Sequence, residues 1–260
     1  MMSLLGPLGP ARPLAQVIGR AAVAHVREVG LMAAVAAMAP LGRAGGSFER
    51  AANLLPVAAH TAPTARPVLL VHGFGATKSC WFALARALRA RGVTVEAINY
   101  TPFGTSVEQL ADRVAVRVER LLSETGADKV HLVGHSLGGV VIAQAFADGR
   151  LTGKVDTVVT IAAPFGGSPW ANLLPLGATA RALRDGSPLL RRLAAASAPD
   201  GVRWLALTAA LDVIVPGRRS VPAHAEVQSV TVDDVGHVGM LLNRQVVSRI
   251  VAALPAQAVA

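Results

Sequence analysis

The chain has 260 residues, 52% of them hydrophobic, enough to bury a deep core as one large α/β domain or two small ones, so disorder is excluded for most of it. A formal charge of +9 raises the question of nucleic acid, but the basic residues are scattered, lysine is confined to Lys78, Lys129 and Lys154, and no nucleic-acid-binding module is present. The charge reads as a solvated basic surface, with attraction to anionic lipid as the sharper alternative, and the single cysteine, Cys80, rules out an intramolecular disulfide while leaving export open.

At the amino end, Leu14, Val17, Ile18 and Ala21 repeat at helical spacing, with Arg20 and Arg27 elsewhere around the helix. An apolar run then extends from Val29 to Leu41, interrupted by Gly30 and Pro40; at about thirteen residues it falls short of the ~20 that a spanning helix needs. Ala37-Met38-Ala39 has the small-residue pattern of a signal-peptidase site, but Glu28 precedes the apolar run, the leader is long, and Pro40 would be the first mature residue. The reading is a helical arm that packs on the domain or lies on a membrane surface. Gly42 to Arg66 is linker-like, with one short strand expected at 54–58. Residues 1–60 are therefore assigned to arm and linker, and 61–260 to the main domain.

From Pro67 the chain alternates strand and helix. Pro67 to Val71 is a continuous apolar run ending in His72-Gly73-Phe74-Gly75, and Lys78 to Ala90 shows helical spacing. Val93 to Ile98 is a strand, and Ser106 with Gln109 forms a capping box for a helix that ends at Gly126. Lys129 to Val133 is a buried strand leading directly into Gly134-His135-Ser136-Leu137-Gly138 and a further helix; Val155 to Ala162 is the next strand. The rhythm breaks between about 165 and 200, then resumes with strands at Val202 to Thr208 and Glu226 to Val232 and a closing helix at Gly239 to Leu254. Such alternation with short joints calls for a mostly parallel sheet covered by helices on both faces.

Strand, sharp turn and helix around Gly134-x-Ser136-x-Gly138 place a serine at the apex of a strained turn, its hydroxyl exposed; the competing reading is a tight turn in which Ser136 only caps the helix. A serine hydroxyl is a poor nucleophile at neutral pH and needs a general base with a third group to orient it. Of the seven histidines, His237 follows the last strand, at the carboxyl end of the sheet where reactive groups gather. His72 is read as holding its loop by hydrogen bonds, and His224 precedes its strand. Asp212 lies just beyond the strand ending near Thr208 and is the expected acid; Asp233 and Asp234 are too close in sequence to His237 to reach the far ring nitrogen easily, and Asp156 is at the wrong end of its strand. The oxyanion that forms on carbonyl attack needs N–H donors, expected from Leu137 and, across the His-Gly loop, from Phe74. No metal-ligand cluster appears, and the glycine loops lack the pattern and lysine of a phosphate cradle, so neither metal nor cofactor is expected.

Together, Val71-His72-Gly73-Phe74-Gly75, Gly134-His135-Ser136-Leu137-Gly138-Gly139, Thr160 to Ser168 and Asp212-Val213-Ile214-Val215-Pro216 resemble a bacterial lipase or esterase of the α/β-hydrolase family, over about residues 66 to 255. The order Ser136, Asp212, His237 is that of the family. The stretch after Thr160 departs from it, with Phe165 where histidine is usual, which bears on substrate binding. The resemblance implies the α/β-hydrolase fold, with the insertion at about 165–200 as a cap. In that insertion Trp170, Leu173, Leu174, Leu176, Leu189, Leu190 and Leu193 supply an apolar side, and Arg181, Arg184, Arg191 and Arg192 a charged one. Phe165 and Trp170 are the expected substrate contacts. The implied activity is hydrolysis of esters with hydrophobic acyl groups, on a lipid or small ester substrate; for location, the cytoplasm, a membrane surface and secretion all stay open. An acyltransferase or thioesterase on the same residues, and a non-catalytic membrane-surface module, remain open.

Overall fold

The described residues contain six strands: β1 (Val68–Val71), β2 (Val95–Ile98), β3 (Val130–His135), β4 (Val155–Ile161), β5 (Arg203–Ala209) and β6 (Gln228–Val232). In this computed structural model they form one sheet in the order β2-β1-β3-β4-β5-β6, and every neighbouring pair is parallel. The structure describes residues 66–173, 177–224 and 226–254, with residues 23, 26–31, 33–35, 37 and 40 of the arm. The strand expected at 54–58 and the helical pattern at 14–21 lie outside the described residues.

The four residues of β1 are fully buried, and their two-residue period divides them between two core layers. Val68 and Leu70 face Trp81, Leu84 and Ile250, whereas Leu69 and Val71 face Leu110, Val114 and Val140. A strand covered on both faces has no polar side to show, so its sequence is a continuous apolar run. The first layer is supplied by α1 (Phe82–Arg89) and α7 (Arg244–Ala253), the second by α2 (Val107–Thr125) and α3 (Leu137–Ala147).

Local chemistry sets the helix ends. At α2, Ser106 Oγ accepts from the Gln109 N–H at 3.2 Å while Gln109 Oε1 accepts from the Ser106 N–H at 2.9 Å, and Gly126 ends the helix at φ 69°. The helix expected from Lys78 begins as a 3-10 turn, Lys78–Trp81, before α1. The closing helix starts later than Gly239: a 3-10 turn spans Gly239–Leu241, and α7 begins at Arg244 because Asn243 Oδ1 accepts from the N–H groups of Gln245 and Val246. Between β4 and β5 the excursion consists of α4 (Pro169–Leu173), α5 (Gly177–Ala182) and α6 (Pro188–Ala195).

The chain enters the sheet at β1, adds β2 on one side, then crosses to β3 on the other. Loops leaving β1 and β3 thus start side by side and run to opposite faces, opening a crevice at the carboxyl ends of these strands. The amino-terminal end of the strands is tied by charge: Asp156 accepts from Arg66 at 2.5 Å and from Arg203 at 2.8 Å.

Candidate active site

Ser136 sits between β3 and α3 with φ 52° and ψ −123°, a strained conformation for a residue with a Cβ. Its N–H donates to the Ile161 carbonyl at 2.8 Å, and its hydroxyl makes no capping bond to α3, which removes the reading of Ser136 as a simple helix cap. The flanking glycines are sterically required. A Cβ on Gly134 would stand 2.7 Å from the Gly139 nitrogen, and one on Gly138 would overlap the Val71 carbonyl oxygen. The loop after β1 also passes close, since a Cβ on Gly73 would meet the Ser136 Cβ at 3.0 Å.

His237 and Asp212 approach from the loops after β6 and β5. His237 Nδ1 donates to Asp212 Oδ2 at 2.7 Å, both residues being buried, which leaves Nε2 as the proton-accepting nitrogen. The other carboxylate oxygen of Asp212 accepts from the N–H groups of Ile214 and Val215, each at 2.8 Å. The excursion grips the same loop: Ser168 Oγ donates to the Ile214 carbonyl at 2.6 Å and Trp170 Nε1 to that of Val213 at 3.1 Å. Asp233 and Asp234 are exposed, and Asp156 is committed to Arg66 and Arg203 at the amino-terminal end of the strands.

Two further histidines support the site without offering a base. His135 Nε2 donates to the His237 carbonyl at 3.1 Å, with the two rings 4.8 Å apart, and burial together with the neighbouring His237 and His72 holds its pKa well below the ordinary value. His72 donates from Nδ1 to the Gly73 carbonyl at 2.9 Å and accepts the Tyr100 N–H on Nε2 at 3.3 Å; its ring is stacked on Tyr100 at 4.1 Å. Burial lowers its pKa to about 4. With both nitrogens occupied in the neutral form, His72 braces the loop that carries Phe74, as its place in the sequence implied.

Ser136 and His237 open into a cavity of about 370 Å³, walled by Val35, Phe74, Trp170, Leu183, Ile214 and Leu241 among others. Trp170 lines this cavity, and Phe74 and the buried Leu137 flank the nucleophile. Phe165 does not join them. Ala162, with φ 49°, and Pro164 turn the chain after β4 so that Pro164 faces the cavity, while the Phe165 ring packs 6.2 Å from that of Trp204 and borders a separate cavity of about 180 Å³. Leu189, Leu190 and Leu193 likewise turn into the core beside α3. Two residues of the arm were missed from sequence: Val35 lines the cavity, and Glu28 is buried against the His237 loop. The one legible signal was an acidic residue at the edge of an apolar run. Among the described residues, no group of three His, Cys, Asp or Glu side chains is placed to hold a metal ion.

The sheet, the elbow and the histidine–aspartate pair define a class, and residues 68–211 match the family model described as the alpha/beta hydrolase family; the chain belongs to that family. Among curated proteins it is similar to a triacylglycerol lipase of Burkholderia plantarii, 32% identical over 147 residues, which cover 53% of this chain and 40% of the relative. A triacylglycerol lipase of Pseudarthrobacter phenanthrenivorans is 30% identical over 121 residues, covering 44% of this chain and 37% of that protein. The matched stretch therefore spans well under half of either relative. Among solved structures, the mature lipase BlEst2 of Bacillus licheniformis superposes with a TM-score of 0.58 at 17% identity, covering 76% of this chain and 96% of that one. That likeness is one of fold.

Proposed function

We propose that this chain hydrolyses carboxylic esters with hydrophobic acyl groups through an acyl-enzyme on Ser136. The observation that carries the reading is the buried 2.7 Å bond between His237 and Asp212, beside a strained serine at the mouth of an apolar cavity. The volume of about 370 Å³ falls in the range of small-molecule pockets, and its apolar walls suit an acyl chain.

His237 Nε2 takes the proton of Ser136 as Oγ attacks the ester carbonyl, and the Asp212 carboxylate stabilises the imidazolium. The oxyanion is received by the N–H groups of Leu137 and Phe74, each worth about 3 kcal/mol of barrier. Collapse of the tetrahedral intermediate breaks the bond to the alcohol oxygen, which leaves with the proton from His237. Water, deprotonated by His237, then attacks the acyl-enzyme and releases the acid and Ser136.

A fluorophosphonate probe should label the wild type at Ser136 and fail to label Ser136→Ala. His237→Ala should lose ester hydrolysis as completely as Ser136→Ala, and the double variant should lose little more, because the two groups act in one step. An active Ser136→Ala enzyme, or additive losses, would refute the assignment. Product analysis with added alcohols separates hydrolysis from acyl transfer.

A lipid surface is the proposed setting. Val23, Val26 and Val29 of the arm are exposed, as is half of Trp170 at the cavity. Val26 lies two residues, and so about half a helical turn, from the buried Glu28.

A further inference from the structure

We infer that the amino-terminal arm is part of the catalytic apparatus, with Glu28 as the residue that positions the His237 loop; this rests on the hydrolase reading above. Residues 26–31 are helical, and Glu28 is only 7% exposed although it carries a carboxylate. Both of its oxygens are used. Oε1 accepts from the N–H of Val238, the residue directly after the base, and Oε2 accepts from the N–H of Gly239 at 3.0 Å. These N–H groups open the 3-10 turn Gly239–Leu241 and have no partner within it, so the carboxylate satisfies donors that burial would otherwise leave unpaired.

The loop is shaped around this side chain. A Cβ on Gly236 would come within 2.6 Å of Glu28 Oε2, and one on Gly239 within 3.2 Å of the same oxygen and 3.5 Å of Leu31 Cδ1. Glycine therefore stands on either side of His237-Val238 where the arm comes closest. About two helical turns beyond Glu28, Val35 forms part of the cavity wall.

His237 is thereby held from three directions. Asp212 accepts a hydrogen bond from its Nδ1–H, His135 donates to its carbonyl, and Glu28 fixes the two N–H groups that follow. Asp212 sets the tautomer and the ring plane. Glu28 sets where the backbone carrying the ring stands relative to Ser136, and a base displaced by about 1 Å can cost on the order of a hundredfold in rate. Glutamine cannot replace it cleanly, because its NH2 group would face one of the two N–H donors.

The test uses the full chain. In the wild type, hydrogen exchange should show protected amides at Val238 and Gly239. For Glu28→Gln and Glu28→Ala, the fluorophosphonate labelling rate of Ser136 and kcat on a p-nitrophenyl acetate substrate should fall about 10- to 100-fold, with KM changed less than about twofold. Glu28→Ala should be the more severe. Amides at 238 and 239 that exchange at the rate of an open loop in the wild type would overturn the inference even if both variants failed to fold. So would a folded variant with wild-type kcat, or one altered in KM alone. Absence of labelling in the wild type would instead refute the hydrolase reading, while the exchange result would still report on the Glu28 contact.

Discussion

His72 shows what burial does to one titratable residue. Its ring is fully buried and neutral, with a pKa lowered to about 4 against 6.5 for a free imidazole. The unfolded chain therefore binds a proton at a pH where the folded chain does not, and stability falls with pH across the interval between those values. The contribution is fully present above pH 6.5 and is lost as pH falls toward 4, amounting to about 3 kcal/mol from this residue. His135 acts in the same direction. The lowered carboxylates Asp128, Asp156 and Glu108 act at more acidic pH, so the histidines own the upper window. Urea unfolding at pH 7.5 and 4.5 should show a smaller loss for His72→Asn than for the wild type; equal losses would mean that His72 is not held neutral.

Among the elements, α2 is the one most completely specified by its own sequence. Its capping box is closed by two reciprocal bonds and its end by a left-handed glycine, while Leu110, Val114 and Val118 form the apolar stripe against the sheet. Ser106→Ala should cost about 1 kcal/mol of stability by urea unfolding and leave kcat unaltered. A loss of activity without loss of stability would mean that the start of α2 has a role beyond capping. The excursion behaves differently, because its contacts divide. Trp170 and Leu183 line the cavity, Leu183 while also joining the core, whereas Leu189, Leu190 and Leu193 anchor α6 in that core away from the cavity.

For the whole molecule, the arm matters most. The sequence leaves open whether it packs on the domain or lies on a membrane; in the structure Glu28 and Val35 face inward while Val23, Val26 and Val29 are exposed. Deleting residues 1–42 would remove Glu28 together with the valines, so it cannot separate membrane binding from catalysis. Replacing Val26 and Val29 by serine does. Sedimentation with anionic vesicles should show weaker binding of that double variant, with added salt weakening the wild type as well. Vesicle binding equal to that of the wild type would place the lipid contact elsewhere. No helix among the described residues is long and apolar enough to cross a membrane.

What the sequence determined by itself is whatever depends on a few adjacent residues. The elbow at Ser136 is legible because Gly134 and Gly138 must lack a Cβ for the chain to turn there, and β1 because a strand covered on both faces has to be apolar throughout. Asp212 and His237 could be chosen because parallel topology puts the ends of β5 and β6 on the same side of the sheet as Ser136. Tertiary structure decided the rest. Phe165 turns to Trp204 because of a backbone turn at Ala162 that carries no strong local mark, and Glu28 meets the His237 loop across 210 residues of chain. Such a contact has no spacing or period to betray it: the two segments become neighbours only after the sheet has assembled, and the physical reason for a buried carboxylate then becomes visible in the two N–H groups it satisfies.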